Sequence, residues 1–471
     1  MSRVNIFIVA MMVWLGVRAQ PNSFSEVFNQ PAYYGATVAF KIIDVDSSLT
    51  LYEQNAQLAL TPASIMKLVT TATALEVLGA DFQFRTTLYI KGNIKDSILY
   101  GDVVIVGGGD PTLGSRFFSN RNPLEDFRAA LFKKGIKTIK GNIIADDSHF
   151  SEELVADTWV WGDLGNAYGT GISGLNYNDN TVFLEFSSGN VGDTTKIISL
   201  FPNYDVLKFK NWVTAQNINS DQAYIFGSPY DEQRLVKGSI PKNRASFKVK
   251  GSVPNPTLFT ASVFKLYLDS SKMNVSGSVL IDRNIHKDSS LVLVKKYFSP
   301  KLKDIVFQTN QFSVNHYAEA LARELGRKSG SGSFSDGAKY ITKYWEKQGV
   351  DVSFLFIEDG SGLSRHSALS PNTMIRILEL MYLSENKEAF QNSLPVAGKS
   401  GTLINMLKDT HAENNLKAKS GSMTRVRTYA GYVKSKSGRN LAFVIMVNNY
   451  SNFSLEIRKD LEKFMQLVSE I

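Results

Sequence analysis

The sequence predicts an α+β multidomain protein whose two ends build one domain around a long β-rich insert. Three observations carry that expectation. The 471 residues are too many for one small core, at roughly 150 residues per domain. Residues 62–78 and the stretch beyond residue 313 carry apolar side chains at helical spacing, beside strand-like runs. From residue 84 the texture changes to short apolar runs separated by glycine and Asn/Asp turns, the pattern of consecutive strands. The expected organisation is a signal segment at 1–19, a discontinuous domain of 20–83 with 300–471, and an insert at 84–299 made of two subdomains.

Hydrophobic residues at 43% and charged residues at 20% suit a packed globular protein. No cysteine is present, which removes thiol catalysis, thiolate zinc sites and iron–sulfur clusters and leaves the cores without disulfides. The formal charge of +8 is spread among acidic residues. Solubility and mild attraction to anionic polymers follow, and no nucleic-acid partner is expected.

The elements follow in order. Arg3, the apolar run at 6–16 and the small-residue pattern ending at Ala19 read as a secretory signal cleaved after Ala19. That run is too short to span a bilayer comfortably, and no later segment holds about 18 uninterrupted apolar residues; an uncleaved anchor is the alternative to cleavage. Strands are expected at 36–43 and 49–52, then a helix over 62–78. Thr61 would cap it and Pro62 would take its first position. Leu68, Thr71, Leu75 and Leu78 form its buried stripe, and Gly79 ends it. In the insert, strands are expected at 88–90, 103–106, 143–145, 182–186, 247–249 and 275–281, with one helix at 124–134. The glycine run 107–109 lacks the helix and glycine spacing of a dinucleotide fingerprint, so it reads as a structural turn. Further helices are expected at 313–325, 337–348, 372–382 and 455–468, with strands at 428–433 and 441–448.

Ser64 and Lys67 lie one turn apart on one helix face. The spacing sets an amine beside a hydroxyl, near free helix-end N–H groups, and can make a serine nucleophilic without histidine. The five histidines include no pair at metal-binding spacing, and none has a visible orienting partner; His316, next to Asn315, reads as a surface or capping residue. A lysine base needs a second polar group to shuttle the proton and a third element to bind substrate. Ser313 and Asn315, two residues apart, can supply the second. Lys419, Ser420, Gly421 and Ser422 can supply the third: an ammonium there lowers a neighbour's pKa and attracts a carboxylate, and Gly421 admits a close backbone.

This order of Ser-x-x-Lys, Ser-x-Asn and Lys-Ser-Gly resembles the active-site signature of penicillin-binding proteins and serine β-lactamases. The finer resemblance is to the class C low-molecular-mass penicillin-binding proteins, the D-alanyl-D-alanine carboxypeptidase/endopeptidases of peptidase family S13. The long separation of Ser64 from Ser313 carries it, with GDVVIVGGGDPTL at 101–113, DGSGLSR at 359–365, LPVAGKSGTL at 394–403 and AGYV at 430–433. The resemblance covers essentially the whole mature chain. It implies a transpeptidase-like domain, an antiparallel sheet with helices on both faces, interrupted by the insert.

On this sequence the resemblance implies Ser64 as the acylated nucleophile and Lys67 as its base. Ser313 would relay a proton to the leaving amine, and Asn315 would hold the substrate amide and Lys67. Lys419 would support the relay and attract the substrate's terminal carboxylate, while the N–H groups of Ser64 and Ser422 would form the oxyanion hole. Ser420 replaces the commoner threonine and keeps the hydroxyl. An acid near the cleft is also implied, and Asp163, beside Trp159 and Trp161, is the candidate; a loop packed on its tryptophans is the other reading. Lys399, Ser400, Gly401 and Thr402 copy the third motif, yet they lie inside the LPVAGKSGTL stretch rather than at the start of a strand. Lys419 is preferred, and Lys399→Ala is expected mainly to perturb folding.

The implied activity is hydrolysis of peptidoglycan stem peptides or cross-links, with β-lactams as covalent inhibitors and no metal or organic cofactor. The protein would be exported to the periplasm, free or loosely held at the membrane. Two other readings use the same residues: a serine β-lactamase, which lacks an assignable deacylating base, and a cell-wall binding protein without turnover.

Overall fold

A computed structural model describes residues 23–451 and 454–471; the expected signal segment lies outside them. A five-stranded antiparallel sheet joins the two ends of the chain. Its order is Lys417–Met423, Val426–Lys434, Asn440–Asn448, Thr37–Asp44 and Leu49–Gln54. The N-terminal strand Thr37–Asp44 thus pairs directly with the C-terminal strand, in a register that sets Thr37 opposite Asn448.

Alternation along Asn440–Asn448 explains why both faces are covered. Ala442, Val444 and Met446 join the core that holds the helix Met66–Leu78 and the helix Asn315–Gly326. Leu441, Phe443, Ile445 and Val447 join the opposite core, against Ile457, Leu461, Phe464 and Val468 of the last helix Ser454–Glu470. Successive side chains of a strand point to opposite faces, so a strand buried on both sides reads as one apolar run.

The insert holds a six-stranded mixed sheet and two three-stranded sheets. Its largest core packs the helices Pro123–Lys133 and Pro256–Ser270 against these strands. The helix Pro256–Ser270 and the strands between Lys196 and Pro241 went unforeseen. Lys196–Phe201 is mostly exposed, so it lacks the apolar alternation by which a half-buried strand is read. The insert's two ends meet: Ser299 N donates to Phe84 O at 3.0 Å, and Phe84 N to Ser299 Oγ at 2.9 Å. Among the described residues no helix is long and apolar enough to cross a membrane.

Candidate active site

Ser64 sits in a short 3₁₀ turn, Ala63–Ile65, that runs into the helix Met66–Leu78. The expected Thr61 cap is not formed: the helix begins later, the turn has no side-chain cap, and Ala63 adopts a left-handed φ of 48°. The turn is pinned from outside instead. Thr428 Oγ1, from the strand Val426–Lys434, donates to Pro62 O at 2.7 Å.

One turn on, Lys67 is wholly buried. Its Nζ lies 3.0 Å from Ser64 Oγ and donates to the Ser361 carbonyl at 2.7 Å. Burial pulls its ammonium down to about 8, against the opposing pull of the Glu319 and Asp359 carboxylates. Those acids also build the loop that carries Ser361. Glu319, itself buried, accepts from the N–H groups of Gly360 and Ser361, both at 2.8 Å. Asp359 accepts from Trp159 Nε1 at 2.6 Å, Ser364 N at 2.7 Å and Gly362 N at 2.8 Å. Burial raises both carboxyls above their ordinary range.

Ser313 is the left-handed residue, φ 57°, that ends the helix Leu302–Phe312. Asn315 opens the next helix. The expected helix at 313–325 is present as Asn315–Gly326, and a further helix, Leu302–Phe312, precedes it; Ser313 stands at the corner between them, where its hydroxyl faces the strand. Lys419 Nζ donates to Ser313 Oγ at 2.9 Å and to Ser420 O at 2.7 Å. Lys419 is fully buried, and burial followed by the nearby Lys67 charge holds it well below the usual lysine range. The amide of Asn315 donates across to Tyr168 O of the insert at 2.7 Å, a different partner from the Lys67 that the resemblance implies.

Lys419 lies in the strand Lys417–Met423, whose Gly421 presses on the nucleophile turn. A Cβ there would meet Thr428 Oγ1 at 2.1 Å, Pro62 O at 2.8 Å and Ser64 N at 3.0 Å. Ser420 Oγ donates to Thr402 Oγ1 at 2.8 Å, so the copy of the third motif buttresses the strand. Lys399 itself is exposed.

Ser64, Ser313, Asn315, Ser422 and Asp163 line one cleft of about 560 Å³. Asp163 accepts from Tyr168 Oη at 3.1 Å, and burial raises its carboxyl. Both readings of its surroundings hold in part: Trp159 is a buried anchor, while the exposed Trp161 packs on Phe226 at 4.7 Å between centroids. His316 is buried on the cleft wall rather than on the surface. Ser361, Glu319, Asp359, Tyr168 and Thr428 were not singled out. For the first and third, the signal in the sequence is the stretch 359–365.

Two serine–lysine pairs converging at the edge of an antiparallel sheet define the penicillin-binding-protein class of acyl-transfer enzymes. The model of the D-Ala-D-Ala carboxypeptidase 3 (S13) family matches residues 20–468, and the chain belongs to that family. It is 28% identical over 438 residues to a D-alanyl-D-alanine carboxypeptidase of Actinomadura sp. (strain R39), covering 90% of this chain and 80% of the relative. It is also 28% identical to the D-alanyl-D-alanine carboxypeptidase DacB of Haemophilus influenzae, over 90% of this chain and 87% of that one. The crystal structure of penicillin-binding protein 4 from H. influenzae superposes with a TM-score of 0.83, at 25% identity, over 95% of this chain and all of that one. The chain is accordingly a serine-type D-Ala-D-Ala carboxypeptidase acting on peptidoglycan stem peptides.

Proposed function

We propose that Ser64 is the nucleophile and that Lys67, as a neutral amine, takes its proton. The observation that carries this is the 3.0 Å contact between Lys67 Nζ and Ser64 Oγ, made by a lysine with no solvent exposure. Burial disfavours the ammonium, so the neutral amine, whose lone pair faces the hydroxyl, is reached far below the usual lysine range, the arrangement of an activated nucleophile. Ser64 Oγ attacks the carbonyl between two D-alanines. The oxyanion is met by the N–H groups of Ser64 and Ser422, which cost no reorganisation because backbone holds them.

The proton moves from Lys67 through Ser313, next to Lys419, to the departing amine, and the C–N bond breaks. Water then attacks the ester and returns Ser64. Asn315, Ser420 and Gly421 hold the peptide along the strand Lys417–Met423, and Lys419 attracts its terminal carboxylate. Asp163 faces the same cleft and is proposed to contact the stem peptide. A β-lactam presents a reactive amide to the same serine and leaves an acyl-enzyme. Removal of a signal after Ala19 and a periplasmic site of action belong to the same proposal. The sheet that joins both chain ends supports domain limits of 20–83 with 300–471 around 84–299.

A fluorescent penicillin tests the site. The protein is expected to form a covalent adduct that Ser64→Ala abolishes; an undiminished adduct in Ser64→Ala would move the nucleophile elsewhere. D-Alanine release from a pentapeptide muropeptide and scission of a cross-linked dimer, measured in parallel, then separate the two hydrolytic activities.

A further inference from the structure

The wall of the cleft on the Ser313 side contains a polar recess that the proposed chemistry leaves unused. Asp179 and His316 are both more than nine-tenths buried and both line the cleft. Asp179 Oδ1 and His316 Nε2 lie 3.6 Å apart, and each lacks a hydrogen-bond partner. Two cations complete the group: Arg116 Nε and Lys250 Nζ each stand 3.7 Å from Asp179 Oδ2. All three separations exceed hydrogen-bond length. Buried polar groups are ordinarily partnered, so this is a cluster with room for a further polar group among its members.

The recess is built rather than incidental. Three consecutive residues, Asn178, Asp179 and Asn180, hold left-handed φ values of 53°, 56° and 53°, a conformation that costs free energy in each. An amide network holds them there: Asn180 Nδ2 donates to Gly171 O at 2.9 Å and to Asn176 Oδ1 at 2.8 Å, and Asn178 Nδ2 to Thr181 O at 2.9 Å. The cations are laid over rings. The Arg116 guanidinium sits 4.7 Å from the Phe117 centroid and Lys250 Nζ 5.5 Å from that of Phe183, contacts that leave the N–H edges free. Phe117 in turn stacks on Phe312 at 5.1 Å, beside Ser313. Burial alone would raise the Asp179 carboxyl, but His316, the Ser115 hydroxyl and Lys250 beside it outweigh that and hold it at about 2. It is thus one fixed negative charge against two cations, and the recess carries a positive excess facing the cleft.

We infer that this recess is an anion subsite that receives a carboxylate of the second stem peptide when the substrate is a cross-link. The inference rests on the acyl-enzyme reading above. The group that leaves Ser64 departs on the side of Ser313, which hands it a proton. In a monomeric stem that group is a single D-alanine, with nothing beyond its own carboxylate. In a cross-link it is a whole second peptide, with further carboxylates that need a cationic site on that same side. Arg116, Lys250 and Asp179 come from the insert, so the insert would confer the endopeptidase branch of the activity while the paired serines and lysines perform the chemistry common to both.

The test compares Arg116→Gln/Lys250→Met with the native protein on a cross-linked dimeric muropeptide, a monomeric pentapeptide muropeptide and a fluorescent penicillin. The KM for the dimer is expected to rise about tenfold, the scale of one lost charge-assisted contact, with D-alanine release and penicillin acylation within about twofold of native. Arg116→Gln alone, at a side chain 59% exposed, should give part of the same rise without a folding penalty. Equal losses on dimer and monomer, or no loss on the dimer, would overturn the subsite. A native protein that neither binds the penicillin covalently nor releases D-alanine would instead overturn the acyl-enzyme reading beneath it.

Discussion

Lys67 shows how one side chain is tuned by opposing terms. Desolvation favours its neutral form, while Glu319 and Asp359 favour the ammonium, and the balance falls near 8. Only the neutral amine accepts the Ser64 proton. Penicillin acylation is therefore expected to rise about tenfold per pH unit below pH 8 and to level above it, rather than near the ordinary lysine value of about 10.4. Stopped-flow acylation between pH 6 and 10 measures this, and a midpoint near 10 would remove Lys67 as the base. Glu319→Gln sharpens the test. A carboxylate raises a neighbouring lysine, so its loss should move the midpoint downward. The same change leaves one of the Gly360 and Ser361 N–H groups facing an amide N–H, which should cost about 1–3 kcal/mol of stability. A stability loss with an unmoved midpoint would make Glu319 a brace for the loop and nothing more.

At the scale of elements, the site depends on how closely the strand Lys417–Met423 approaches the nucleophile turn. Gly421→Ala places a methyl against Pro62 O and Ser64 N, which are backbone and cannot rotate away. The strand and the turn must separate, and since a displacement of about 1 Å costs roughly a hundredfold in a catalytic step, acylation should fall by that order. Thermal unfolding should show only a modest loss, and near-native acylation would mean that the contact is slack. This element also shows what was legible in the chain. Ser64, Lys67, Ser313, Asn315 and Lys419 were readable because the chemistry demands those side chains at short spacings and in one order. The partner of Lys67 at Ser361 was not, because a backbone carbonyl looks the same in every residue. A helix from residue 313 was expected, but the one that precedes it was not. Leu302, Ile305, Val306 and Thr309 carry the stripe of a preceding helix, and only a left-handed φ, invisible in composition, divides the two. The recess around Asp179 was equally hidden, since its members are scattered from Arg116 to His316.

In the whole molecule, one buried arginine ties the insert to the sheet domain. Arg323, on the helix Asn315–Gly326, is fully buried between the rings of Phe150 and Phe334, at 4.8 and 5.0 Å. It donates to the insert carbonyls of Ser151, Glu153 and Ile172 at 2.7–2.9 Å, and to Gly332 O at 2.7 Å. Burial lowers it only to about 10, so it stays charged around neutral pH. With the insert's ends bonded to each other at Phe84 and Ser299, such a tie should make the two parts unfold together. Scanning calorimetry is expected to show one transition for the native protein. Arg323→Ala strands at least four carbonyls and removes the charge they surround, a change of about 3–5 kcal/mol by comparison with broken buried ion pairs. The insert and the sheet domain should then melt in two steps. Because Asn315 is bonded to Tyr168 of the insert, acylation should fade at the first step, before the five-stranded sheet is lost. Two transitions already present in the native protein would show that the Arg323 tie does not couple the unfolding of the insert to that of the sheet domain.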